Sequence, residues 1–189
     1  MARDLAVAMH APLVTSTVSR LLIDLNRSLT NPQVWSDATR GLPLANRQKI
    51  VNRHYEPYRQ RVTAIVSEAV RAGRRVIHLS SHSFTPQLDG VVRNADIGLL
   101  YDPARPLEAA MAARWKGAFA QRAPHLRVRR NYPYAGKGDG LTFALRRSFP
   151  PLHYVGLEIE INQGLVHAHA RSWRQLRAAV VTTLQSVLR

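Results

Sequence analysis

The chain has 189 residues, 46% of them hydrophobic, no cysteine, and a formal charge of +15. That length allows one domain with a sizeable core and is short for two. The composition excludes a disulfide framework and a thiolate metal site, and no signal pattern over Met1 to His10 or apolar run of membrane-span length is present. A cytoplasmic protein without membrane association is the expectation.

Residues 5–18 are weakly patterned. Leu21 to Leu25 form an apolar run consistent with a short buried strand, interrupted by Asp24. The polar stretch from Ser28 to Gly41 reads as a long loop, and a loop of that length suggests a binding or lid element. Pro57 suits a first helical turn, and Val62, Ile65, Val66, Ala69 and Val70 follow at helical spacing until Ala72-Gly73. Val76, Ile77 and Leu79 predict a strand that delivers Ser80, Ser81, His82 and Ser83 at its end. After a turn-rich segment, residues 97–101 predict another strand. Pro106 opens a helix carrying Leu107, Met111, Trp115 and Phe119 every four residues. A basic, glycine-containing stretch leads to a short helix over 141–147, a strand over 154–161, and a final helix with Trp173, Leu176, Val180 and Leu184 on one face. The alternation predicts one α/β domain over 1–189, with a mostly parallel or mixed sheet, helices on both faces, and a site at strand ends.

Arginine supplies 24 of the 27 basic residues. Local clusters occur at Arg74-Arg75, at Arg127, Arg129 and Arg130, and at Arg146-Arg147. The arginines are scattered, and zinc-finger or glycine-clamp spacing is missing. Solvated surface is therefore the first reading and attraction of anionic substrates the second. Nucleic-acid binding through Arg127, Arg129, Arg130, Arg146 and Arg147 is a third, less favoured alternative.

Three places carry polar residues that an apolar core does not need: Asp24 with Asn26 and Arg27, His82 with Ser83, and Glu158 with Glu160. Residues two apart in a strand share a face, so Glu158 and Glu160 point the same way and Leu157, Ile159 and Ile161 the other. Two carboxylates on a buried face require cations, a metal or hydrogen-bond donors. On a wet edge strand they would be ordinary solvent residues. His82 suits either metal ligation or acid–base work, and a packed histidine is the alternative. His78 reads as a packing or supporting group. His167 and His169 are not spaced to share a helix face and are not taken as a metal pair. No Gly-x-Ser-x-Gly elbow supports a serine hydrolase.

The segments VSRLLIDLNR (18–27), SHSFTP (81–86), NYPY (131–134) and EINQ (160–163), joined by YEPY (55–58) and DIGLLYD (96–102), occur in the order found in N-formylglutamate amidohydrolases. The sequence resembles that family over about residues 18–166, and several short motifs in one order carry the match. The resemblance implies a zinc-carboxypeptidase-like α/β sandwich that hydrolyses N-formyl-L-glutamate or a related small anionic N-acyl amino acid, releasing formate late in histidine degradation. It implies zinc with His82 as a ligand and Glu160 as general base. Asn26, Arg27, Asn131 and Tyr134 then stand near substrate, with Asp24, Ser83 and Glu158 in support. Arg27 is expected to meet a substrate carboxylate or to pair with Asp24. The remaining metal ligands are unknown, because a Glu-His motif and strand expected ahead of residue 18 are not found. The expectation is a shortened member whose exposed sheet edge favours a homo-oligomer. A catalytically degenerate small-anion-binding or interaction domain is the alternative reading.

Overall fold

The computed structural model describes residues 1–168 and 170–189, with the side chains of residues 167–170 left aside. His167 and His169 therefore lie outside the described side chains. Chain contacts divide the molecule into two compact units. The first comprises Met1–Ala11, Ile77–Gly138 and Val155–Arg189, and the second Pro12–Val76 with Asp139–Tyr154.

The first unit holds a mixed sheet with strand order β1-β6-β4-β5, made of β1 (Val76–Phe84), β6 (Tyr154–Asn162), β4 (Ile97–Leu100) and β5 (Val128–Arg130). β4 runs parallel to β5 and antiparallel to β6. The expected mixed α/β class is present. Alternation places Ile97 and Leu99 of β4, and Val155, Leu157, Ile159 and Ile161 of β6, in one apolar core. That core is closed by α5 (Pro106–Arg122), through Met111, Trp115 and Phe119, and by α8 (Ala170–Leu188), through Leu176, Val180 and Leu184. These are the positions that the spacing predicts, apart from Leu107 and Trp173, which pack only partly buried. Trp115 is fully buried, and its indole N–H donates to Thr183 Oγ1 at 3.0 Å. Each large side chain removed from water here contributes about 1.5–3 kcal/mol.

Elements too short or too weakly periodic to read from sequence complete this unit. They are α1 (Ala2–Ala8), α7 (Gln163–Ala168), and the antiparallel hairpin of β2 (Gln87–Leu88) with β3 (Val91–Val92).

The second unit is helical. α4 (Glu56–Arg71) packs Val62 and Val66 with Leu141 and Leu145 of α6 (Leu141–Ser148) and with Tyr154. α4 ends where Gly73 takes φ +72°, a left-handed conformation that costs glycine nothing, and Arg74 N–H reaches back to Ala69 O at 3.0 Å. A second cluster joins Ile23, Val34, Val51 and Tyr55.

Two sequence expectations fail in this unit. The run from Leu21 to Leu25 is turn and coil rather than strand. Ile23 is fully buried, but Asp24 N–H bonds Val34 O across a loop, so the apolar run records burial without a ladder. The long loop from Ser28 to Gly41 also contains a 3-10 turn (Pro32–Val34) and α2 (Asp37–Arg40), which Asn31 and Ser36 cap through side-chain oxygens. α3 (Leu44–Ile50) and a π-turn (Val51–Tyr55) lead into α4.

Candidate active site

In the first unit the chemistry sits on the side of the sheet opposite the apolar core. β6 is an interior strand, so the wet-edge alternative for its glutamates does not hold. Glu158 and Glu160 are 8% and 6% exposed, and every residue of the strand is buried. Glu158 stands opposite Leu100 and Glu160 opposite Gly98 of β4. A Cβ at Gly98 would collide with the Tyr132 carbonyl oxygen and come within 3.2 Å of Glu160 Cβ. Glycine at 98 therefore lets the loop after β5 close over this face beside Glu160.

His82 does not follow a strand, as the sequence suggests. It lies within β1, which continues to Phe84. Polar residues can extend a strand when a neighbouring strand supplies the ladder, and β6 lies beside β1. Alternation then sets Ser80 and His82 on one side and Ser83 on the other. Ser80 Oγ lies 2.8 Å from His82 Nε2, and Glu158 Oε2 lies 4.0 Å from the same nitrogen. Ser83 instead accepts a hydrogen bond from Gln163 Nε2 at 3.1 Å, tying the end of β1 to the residue after β6. The partner of His82 is thus the serine two residues before it, which adjacency in sequence does not reveal.

Asn131 has φ +47°, and its side-chain oxygen accepts Tyr101 N–H at 3.0 Å and Gly136 N–H at 3.2 Å. It shapes the turn that carries Tyr134. The Tyr134 hydroxyl accepts a hydrogen bond from Arg93 Nη1 at 2.9 Å, and the same guanidinium lies 5.0 Å from the ring centre. Arg93 is 9% exposed and also reaches Thr85 Oγ1 at 3.4 Å, just past the end of β1. Sequence reasoning missed Arg93 because a single arginine in a turn-rich segment looks like surface. It also missed Glu108, which is fully buried and accepts the N–H groups of Asp102 at 2.9 Å and Gly156 at 3.1 Å. A glutamate in a first helical turn ordinarily signals helix-dipole compensation, so nothing in its spacing announced this brace.

In the second unit, residues 24–27 form a clasp. Asp24 Oδ1 accepts Asn26 N–H at 3.0 Å, while Oδ2 meets Arg20 Nη2 at 2.7 Å and Arg27 Nε at 3.4 Å. Asn26 Oδ1 accepts Leu141 N–H at 2.8 Å and so caps α6 from a distant part of the chain. The backbone oxygen of Arg27 accepts the Tyr55 hydroxyl at 2.7 Å and the Arg59 guanidinium at 3.3 Å. Burial pushes the Tyr55 hydroxyl pKa up, against the opposing pull of Arg59, which keeps this donor protonated. Asp139 accepts the Ser28 N–H at 3.0 Å and Asn31 Nδ2 at 2.8 Å. Burial raises its carboxyl pKa, but these hydrogen bonds, that of the Ser28 hydroxyl and the Arg27 charge together bring it below the usual carboxylate value.

Among the described residues, no group of three histidine, aspartate or glutamate side chains is gathered as a metal site. His82 and Glu158 supply two nearby donors, and catalytic zinc takes three protein ligands with an open position. The described residues do not fit a complete zinc centre. The arginine alternative also loses members, because Arg146 is 6% exposed, Arg127 pairs with Asp96 at 3.2 Å, and Arg129 stacks on Tyr132. Hydrogen bonding to Asp96 raises the Arg127 pKa further, so its charge is committed to that pair.

A mixed α/β fold thus sets two buried glutamates beside a half-buried histidine on the neighbouring strand. The model of the N-formylglutamate amidohydrolase family matches residues 1–166, and the chain belongs to that family of amidohydrolases. The gene product Atu2144 from Agrobacterium tumefaciens superposes with a TM-score of 0.82 at 31% identity, over 99% of this chain and 74% of that one. An N-formylglutamate amidohydrolase from Ralstonia eutropha JMP134 shares the fold at a TM-score of 0.64 and 22% identity, over 91% of this chain and 75% of that one. None of the curated proteins matches the chain. No helix among the described residues is long and apolar enough to cross a membrane.

Proposed function

We propose that this chain hydrolyses the amide bond of N-formyl-L-glutamate or a closely related small anionic N-acyl amino acid. The observation that carries the reading is the pair Glu158 and Glu160, buried on one side of an interior strand with His82 4.0 Å from Glu158. Burying two carboxylates on one face, beside a half-buried imidazole, is costly for a merely structural face. It suits a site that must hold and release a proton.

In this reading Glu160 accepts a proton from water as the water oxygen bonds to the acyl carbon. The carbonyl π-electrons pass to oxygen, giving a tetrahedral adduct. Its collapse breaks the carbon–nitrogen bond, and the proton held by Glu160 passes to the departing nitrogen. The products are formate and the free amino acid, so atoms and protons balance. Glu158 and Ser80 orient the His82 ring, whose N–H donates toward the developing negative oxygen. The Arg93–Tyr134 pair is the first unit's proposed contact for a substrate carboxylate, and Arg27 is offered for the same chemistry in the second. Alternatively His82 is a donor to zinc, whose remaining ligands the described residues do not supply. A cytoplasmic setting belongs to the same proposal.

The deciding experiment measures formate release from N-formyl-L-glutamate by the purified chain, with and without added zinc, beside Glu160→Gln and His82→Ala. Turnover that falls at least about a hundredfold in Glu160→Gln supports the assignment. Turnover retained in that variant removes Glu160 as the base. Stoichiometric binding of N-formyl-L-glutamate without turnover under any metal condition favours the second reading, a small-anion-binding domain. That alternative rests on the missing three-ligand group among the described residues.

A further inference from the structure

The second unit carries two adjoining surface clefts, of whose lining residues only Arg27 enters the hydrolase reading. One, of about 370 Å³, is lined by Arg20, Arg27, Gln33, Trp35 and Arg40 among others. The other, of about 540 Å³, is lined by Gln33, Trp35, Arg40 and Arg47 with residues 29–32. Trp35, Gln33 and Arg40 belong to both, so these three residues are reached from either hollow. Each cleft falls in the size range that holds a small organic ligand, of order 300–1,000 Å³, and is far larger than a single inorganic ion needs.

The lining has a definite chemistry. The Arg47 guanidinium lies 5.7 Å from the Trp35 ring centre, a cation–π placement that fixes one face of the indole. Arg47 Nε is shielded from solvent and has no hydrogen-bond partner among the described residues. No carboxylate lines the larger cleft, which presents Arg40 and Arg47. Arg40 is only loosely engaged, with Asp37 3.3 Å away on a side chain 97% exposed, and such surface pairs hold their members weakly. Around Trp35, which also packs partly buried against the Ile23, Val34, Val51 and Tyr55 cluster, there is thus an aromatic side chain reached from both clefts, an amide able to pair with a ring edge, and two guanidinium groups.

We propose that the clefts on either side of Trp35 bind a nucleoside phosphate, the base against Trp35 with Gln33 at its edge and the phosphate between Arg40 and Arg47. A base offers the π-face that the indole stacks on and the donor–acceptor edge that an amide reads. Phosphate oxygens match the planar guanidinium fork. A simple polyanion would use the arginines and leave Trp35 idle, whereas an uncharged aromatic would do the reverse. The inference stands apart from the hydrolase reading, because none of Trp35, Gln33, Arg40 and Arg47 takes part in the proposed hydrolysis.

Isothermal titration of the full chain with AMP, adenosine and inorganic phosphate tests it. AMP is expected to bind one per chain, at least about tenfold tighter than either fragment. Arg40→Ala, Arg47→Ala and Trp35→Ala should each weaken AMP by at least about tenfold, with Trp35→Phe retaining most of the affinity through its ring. Arg74→Ala, an exposed position at the far end of α4, should leave AMP binding unchanged. Arg40→Glu places a carboxylate on an exposed position that folding does not need, and it should abolish binding even if Trp35→Ala fails to fold. A 5′-phosphorylated tetraadenylate that displaces AMP and binds tighter identifies a strand end as the source of the nucleotide; weaker binding identifies the free nucleotide. AMP binding no tighter than inorganic phosphate overturns the proposal, as does AMP affinity unchanged in Arg40→Glu.

Discussion

The two units treat their polar motifs in opposite ways. In the first, Glu158 and Glu160 project from a strand whose alternate residues, Leu157, Ile159 and Ile161, are already anchored in the apolar core. The backbone is held by that core, so the outward side chains are not what anchors the strand. In the second, Asp24, Asn26 and Asp139 hold the fold themselves. They fasten a loop to the start of α6, beside the small apolar cluster of Ile23, Val34, Val51 and Tyr55. Residues from one set of family motifs therefore divide into those standing on a scaffold and those that are the scaffold.

That contrast predicts opposite responses to substitution. The largest effect is expected at Glu160→Gln, which keeps size and most hydrogen-bonding capacity and removes only the carboxylate proposed as base. Turnover should fall about 10²–10⁴-fold while the melting temperature shifts by a few degrees at most. A collapse in stability with activity per folded molecule intact would erase the distinction between the units. Asp24→Ala is the reverse case. It strands Asn26 N–H, Arg20 and Arg27, and thermal or urea unfolding should show a loss of about 1.5–3 kcal/mol.

Asn26→Ala should cost about 1 kcal/mol by uncapping α6, whereas Asn26→Asp keeps an acceptor at the helix start and should restore most of it. Equal losses in the two variants would show that the oxygen facing Leu141 is not what matters. The smallest effect concerns acid. The Asp139 carboxyl pKa is depressed in the folded chain, so its contribution is present above the ordinary carboxylate pKa and is lost as pH falls through the lower folded value. Asp139→Asn should therefore bring the stability curves of variant and parent together at the acid end and separate them near neutrality. Parallel curves across the whole range would contradict that linkage.

The helices at 56–71 and 106–122 and the strand at 154–162 were legible in the sequence because each repeats its apolar residues with a clear period. The shared side of Glu158 and Glu160 was legible for the same reason. The order of family motifs was enough to identify the chain's relatives, and the family model agrees with it. The run from Leu21 to Leu25 misled, since a short apolar stretch signals burial but cannot say whether a neighbouring strand exists to pair with it. Arg93 and Glu108 were invisible, because their burial is decided by residues 41 and 48 positions away.

Local periodicity thus determined which faces seek the core and which residues could carry proton chemistry, since both depend on spacing along one element. Only the tertiary structure decided that β6 is interior, that His82 meets Ser80 and Glu158 within the sheet, and that Asn26 caps a helix more than a hundred residues ahead. Those outcomes depend on strand order and chain reversal, which bring together groups whose separation in sequence carries no periodic signal.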